Sequence, residues 1–137
     1  MTLYSTFVFL HVATAILGLG PLTVLAVVAS GPVAGSFTVD RFNQFLRIVG
    51  PSLAGMFLTG AILIAFTHGA LGEMLWLRLS FGLFLLLGFL HGLARRQLKK
   101  ARQSPATAFP SKALGQILWS MCAVTAAITY LMEAKPW

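Results

Sequence analysis

Charge is what this sequence has least of. Only 9% of its 137 residues are charged, against about 25% in an ordinary soluble domain, and a water-soluble fold of this composition is excluded. Acidic residues number 3, and no charge of either sign precedes Asp40. The amino-terminal apolar stretch therefore lacks the basic flank of a cleaved signal peptide and is far longer than its apolar core, so a retained helix is expected. The single cysteine, Cys122, rules out an intramolecular disulfide and sits in an apolar run, where it reads as a small packing residue. No glycine-rich phosphate loop precedes a helix, no serine, histidine and acid form a triad, and no carboxylates pair within an apolar run. Hydrolysis and nucleotide chemistry have no apparatus here. Internal repeats and low-complexity tracts are also missing.

What the sequence has is apolar length: 58% of its residues are hydrophobic. A helix needs about 20 residues to cross about 30 Å of hydrocarbon, because no backbone group can be left unpaired in lipid. Stretches at about residues 3–29, 48–67, 74–94 and 113–132 meet that requirement. The expected fold is all-α, a single domain over residues 1–137 forming a four-helix transmembrane bundle of up-and-down topology. Between the first two spans, DRFNQFLRIV places Phe42, Phe45, Leu46 and Val49 at helical spacing, which predicts an interfacial helix entering the second span.

The net charge of +7 is concentrated in the links. That pattern points to anionic lipid headgroups as partners and away from nucleic acid. Arg95, Arg96, Lys99, Lys100, Arg102 and Lys112 cluster in the link after the third span, which the positive-inside rule places in the cytoplasm together with Arg41 and Arg47. Both termini then lie outside, and Tyr4, Trp76, Tyr130 and Trp137 fall near the outer face as an aromatic belt. Such a protein belongs in the inner membrane of a bacterium. Gly55 and Thr59, Gly88 and Gly92, and Ala123 and Ala127 supply small-residue pairs for helix packing, within one chain or between chains of a homo-oligomer or larger complex.

Ionisable side chains inside a membrane are costly and mark function by default. His11 lies about 12 Å below the outer end of the first span at about 1.5 Å per residue. Tyr4, Phe7, Thr14, Ala15 and Gly18 share its face, and the small residues there suggest room for a flat ligand. His91 lies near the inner end of the third span, with Gly88 before it and Arg95 one turn after, an arrangement that suits a haem ligand with a propionate partner or an interfacial packing residue. The two imidazoles differ by about 12 Å in height, whereas axial nitrogens on one iron lie about 4 Å apart. Separate sites, or one ligand with another partner, are expected. Arg78, close in depth to His11, reads either as the partner of a propionate or quinone oxygen or as an arginine reaching the outer headgroups. His68, Glu73 and Met74, with His11, offer a weaker copper or zinc set.

The stretches FLHVATAILGLGP, TGAILIAF, WLRLSFGLFLLLGFLHGLARR and LMEAKP span nearly the whole chain. In spacing they resemble a group of small four-helix bacterial membrane proteins that includes the HemJ-type protoporphyrinogen oxidases and the membrane domain of CopD copper-resistance proteins. The resemblance implies that His11 binds haem b and that His91 matches a third-span histidine. Two departures bear on activity. GPLTVLAV stands where the HemJ-type pattern has Leu-Pro-Arg, and Ser80 stands near an expected lysine, with Arg78 two residues earlier. The missing basic groups suit porphyrinogen carboxylates, so haem binding is carried over more directly than oxidase chemistry. The expected function is haem b binding for electron transfer or a porphyrin-related oxidation, with a quinone or porphyrin partner and with His11, His91, Arg78 and Arg95 as site residues. The rivals are a cofactor-free subunit of a membrane complex and a carrier for copper or a small solute.

Overall fold

The computed structural model describes residues 2–31, 38–66, 74–103 and 109–134. Four helices account for almost all of them: α1 (Leu3–Ser30), α2 (Val39–Phe66), α3 (Leu75–Gln103) and α4 (Lys112–Ala134). No strand occurs among the described residues. Each helix is long and apolar enough to cross a membrane. Local chemistry sets their ends. Thr2 caps α1, its hydroxyl accepting from Ser5 N–H. Asp40 in the first turn of α2 and Lys100 and Arg102 in the last turn of α3 oppose the helix dipoles. Pro21 and Pro51 lie inside α1 and α2, and both helices run on through them. Each proline forfeits one backbone hydrogen bond, which membrane helices tolerate.

Two helices are longer than their expected spans. α2 begins at Val39, so the expected interfacial segment is continuous with the span itself, and α3 continues past Ala94 to Gln103. Lipid requires about 20 helical residues but does not forbid more. The surplus turns carry Asp40, Arg41 and Arg47 on α2 and Arg95 to Arg102 on α3.

The helices form a ring in which α1 packs on α2 and α4, and α3 packs on α4 and α2, while the backbones of the diagonal pairs stay apart. Close approach along α1 and α2 depends on missing side chains. A Cβ on Gly18 would sit 3.2 Å from Ser52 Cβ, one on Gly55 would sit 3.0 Å from Thr14 Cγ2, and one on Gly60 would sit 3.3 Å from His11 Cε1. Contact positions rise along α2 as they fall along α1, so these two helices run in opposite directions. The pair Gly55 and Thr59 is thus a packing surface within the chain. Gly88 and Gly92 have open space where a Cβ would be, and Ala123 and Ala127 are exposed.

The core is uneven. Leu22, Leu25, Phe42, Leu46, Leu87, Leu98, Leu118 and Met121 are almost wholly enclosed, and they gather toward the end of the bundle that carries Ser30, Val39, Gln103 and Lys112. This is the basic end. Toward the opposite end, no residue of α1 before Gly18 is buried. Trp76 departs from the expected aromatic belt: it is buried, and its indole N–H donates to Met74 Sδ at 3.1 Å. Tyr4 and Tyr130 are exposed as a belt requires. Trp137 lies outside the described residues.

At the basic end Arg102 pairs with Asp40 across α3 and α2, and both side chains are more than half exposed. Exposed pairs contribute about 0–1 kcal/mol. Asp40→Asn is accordingly expected to change unfolding free energy by less than about 1 kcal/mol, as read from thermal unfolding in detergent.

Candidate functional site

α1 brings His11 against α2 at the level of Thr59 and Gly60. The side chain is half-buried. Gly60 leaves the gap that the imidazole fills, and Thr59 meets the ring from one helical position earlier, its Oγ1 2.9 Å from His11 Nδ1.

The direction of that bond follows from counting protons. Thr59 Oγ1 lies 2.7 Å from the Gly55 carbonyl and 3.2 Å from that of Met56. A hydroxyl has a single proton to give, and the shorter contact takes it. Against Nδ1 the oxygen then accepts, an assignment from the hydrogen-bond network that puts the ring proton on Nδ1 and the lone pair on Nε2. Metal-bound histidines are held in this way, with the nitrogen away from the metal donating to a fixed acceptor. The ring has a further hydrogen-bond acceptor in the Met56 backbone carbonyl.

The room expected beneath His11 on its own helix face is not empty. Thr14 meets Gly55 there and Gly18 meets Ser52, so α2 fills the space that Ala15 and Gly18 had suggested for a flat ligand. Any ligand must approach Nε2 from another side. A concavity of about 530 Å³ lies between α1 and α4, lined by residues including Thr23, Cys122, Thr129 and Glu133, and it includes neither histidine.

His91 also uses a glycine of α2. A Cβ on Gly50 would be 3.2 Å from its Nε2, and its Nδ1 is buried with no hydrogen-bond partner among the described residues. An unpaired buried polar atom costs about 1–3 kcal/mol, so this ring is the less settled of the two. Gly50 and Gly60 are ten residues apart on α2, which sets the imidazoles about 15 Å apart along the helix. Axial nitrogens on one iron are about 4 Å apart, so His11 and His91 belong to different sites.

Arg78 and Arg95 are exposed, and neither side chain has a hydrogen-bond or ion-pair partner among the described residues, though the Arg95 guanidinium is close enough to act on His91 electrostatically. α1 and α3 are diagonal in the ring, so Arg78 lies on a helix whose backbone does not approach that of the His11 helix. His68 and Glu73 of the copper set lie outside the described residues, and Met74 accepts from Trp76.

No three His, Cys, Asp or Glu side chains converge among the described residues. A bare zinc ion takes about three or four protein ligands, whereas haem iron brings equatorial nitrogens and asks the protein only for axial ones. A single imidazole with a fixed tautomer, a half-buried position and a glycine at its back fits that lesser demand.

Sequence reasoning identified His11 but not its acceptor. Thr59 was legible only as half of a small-residue pair. Its signal was depth: His11 lies eight residues after Leu3, and Thr59 lies seven before Phe66, on a helix that runs the other way.

Comparison with known protein families, curated proteins and solved structures finds no match to this chain.

Proposed function

We propose that this protein holds haem b in a bacterial inner membrane and serves electron transfer or a porphyrin-related oxidation, with a quinone or porphyrin as its partner. The observation that carries the reading is the contact of His11 Nδ1 with Thr59 Oγ1, taken with the Thr59 proton on the Gly55 carbonyl so that Nε2 is the ligating nitrogen. When bound, the haem would supply a one-electron couple whose potential is tuned by axial ligand, burial and nearby charge. The chain's own contribution is positional. Thr59 and the Met56 carbonyl hold the ring, and Gly60 lets it seat half-buried against α2. His91 remains a second candidate ligand, with Arg95 for an anionic substituent, and Arg78 is the corresponding cation toward the other end.

The reading takes the bundle as up-and-down with both termini outside and the basic end in the cytoplasm. In a variant whose only cysteine is introduced at Thr2, after Cys122→Ala, a membrane-impermeant thiol reagent should label intact cells. The same cysteine at Lys99 should label only after permeabilisation, and the reverse pattern would invert the orientation. The functional test is the reduced-minus-oxidised spectrum of protein saturated with haem during expression, together with its iron-to-protein ratio. Split reduced bands and one iron per chain are expected; a colourless, iron-free protein would reject haem.

A second reading has an observation of its own. Gly82, Gly88 and Gly92 on α3 meet nothing where a side chain would be, and such open faces let another helix approach closely. A cofactor-free subunit of a larger complex would use them for docking. That reading predicts a colourless protein that co-purifies with partners and loses them on Gly88→Leu.

A further inference from the structure

The basic residues of α3 are not spread evenly around it. Arg96, Lys99, Lys100 and Gln103 follow one another at helical spacing and, with Leu93 and Gln97, line a concavity of about 420 Å³. This face is opposite the buried Leu87, Ala94 and Leu98. Among the described residues no carboxylate faces the three cations, because Asp40, the acidic residue at this end, pairs with Arg102. Depth matters as well. About 20 residues from Leu75 bring α3 to the edge of the hydrocarbon, so the concavity opens at the level of lipid headgroups.

The same face continues into the hydrocarbon as an apolar lane. Gly92, Phe89, Leu85 and Gly82 succeed one another along it, with Phe89 63% and Leu85 59% exposed. A Cβ on Gly92 or Gly82 would meet nothing within 4 Å. A cup lined by cations thus opens onto a lane with gaps at its glycines, and Leu93 marks the seam.

We infer that this face of α3 binds one acidic phospholipid, with its phosphate in the cup of Arg96, Lys99 and Lys100 and an acyl chain along Gly92, Phe89 and Leu85. Phosphate oxygens accept charge-assisted hydrogen bonds from guanidinium and ammonium donors, and the Gln103 amide adds another donor. A zwitterionic lipid brings its own cation into the cup and is disfavoured. Soluble phosphate shares the head chemistry but gains nothing from the lane. General attraction to an anionic membrane counts every basic residue alike, whereas this site counts only those of the cup.

The test uses the full chain extracted in mild detergent from membranes containing phosphatidylglycerol and phosphatidylcholine, with retained lipid counted by native mass spectrometry. One phosphatidylglycerol per chain is expected. Each basic residue near an anionic surface contributes about fivefold, so R96Q/K99Q/K100Q should weaken retention about a hundredfold. R41Q/R47Q/K112Q removes the same charge from the same end and should keep the lipid. Gly92→Leu puts a side chain into the lane from a position where a Cβ meets nothing within 4 Å, so it should lower retention without lowering the unfolding temperature. Equal losses in the two triple variants, equal retention of phosphatidylcholine, or displacement of the lipid by inorganic phosphate would each overturn the site.

Discussion

Replacing His11 with alanine is expected to abolish the b-type spectrum of haem-saturated protein, and replacing Thr59 with valine to weaken haem affinity about 10–100-fold, as loss of an outer-shell partner does elsewhere. The two variants fail for different reasons. His11→Ala removes the ligand nitrogen itself. Thr59→Val keeps the imidazole and the volume beside it but removes the side-chain oxygen that accepts from Nδ1, leaving the Met56 backbone carbonyl as the ring's remaining acceptor and a weaker hold on the tautomer. Thr59→Ser restores the hydroxyl and should recover most of the affinity, which a purely steric role for Thr59 would not require. His91→Ala tests the other imidazole separately. With about 15 Å between them along α2, it should leave the His11 spectrum unchanged. Haem titration followed at the Soret band distinguishes all four variants, and a full spectrum in His11→Ala would end the assignment.

Gly55→Leu is expected to destabilise the bundle by about 1–3 kcal/mol, the usual cost of overpacking. Its first added atom would already stand 3.0 Å from Thr14 Cγ2, and the rest of the side chain has only α1 in front of it. α1 must move away, and His11, one turn along from Thr14, moves with it. The Thr59 contact is then stretched, so the same variant should lose haem affinity without touching any ligand. Gly88→Leu is the control. It adds the same atoms to a position with no neighbour within 4 Å, and surface substitutions of that kind stay within about 0.5 kcal/mol. Unfolding by a denaturing detergent, followed by loss of helix, should separate the two. Equal midpoints would mean that the α1 and α2 contact does not limit stability.

Most of the fold was legible because lipid permits so little else. An apolar run of sufficient length has to close its own backbone hydrogen bonds, and each of the four helices covers one of the four expected stretches, to within a residue at the end of the second and the start of the third. Their ends were less legible because hydropathy reports where an apolar run stops, while a helix such as α3 continues past it into charged residues for as long as they favour helix. Packing partners were harder still. Gly55, Gly88 and Gly92 look alike in sequence, yet the first is pressed against Thr14 and the others face open space. Only the arrangement of neighbouring helices separates them. Trp76 shows the same limit, since its depth suited a belt while its position around α3 turned it inward.

At the site, the costly residue stood out and its setting did not. A histidine within an apolar run is conspicuous, whereas the threonine that fixes its proton is one of several hydroxyls on these helices. Thr14, Ser52, Ser80 and Thr125 also return their protons to carbonyls three or four residues earlier. Thr59 differs only in having an imidazole within reach of the same oxygen.

The account depends on where one proton sits, and nitrogen-15 magnetic resonance of histidine-labelled, haem-free protein in bilayers reads it directly, with His11 identified by its absence from the His11→Ala spectrum. The account predicts a protonated, pyrrole-like Nδ1 and a bare, pyridine-like Nε2 at His11. The opposite assignment, with the proton on Nε2, would contradict it.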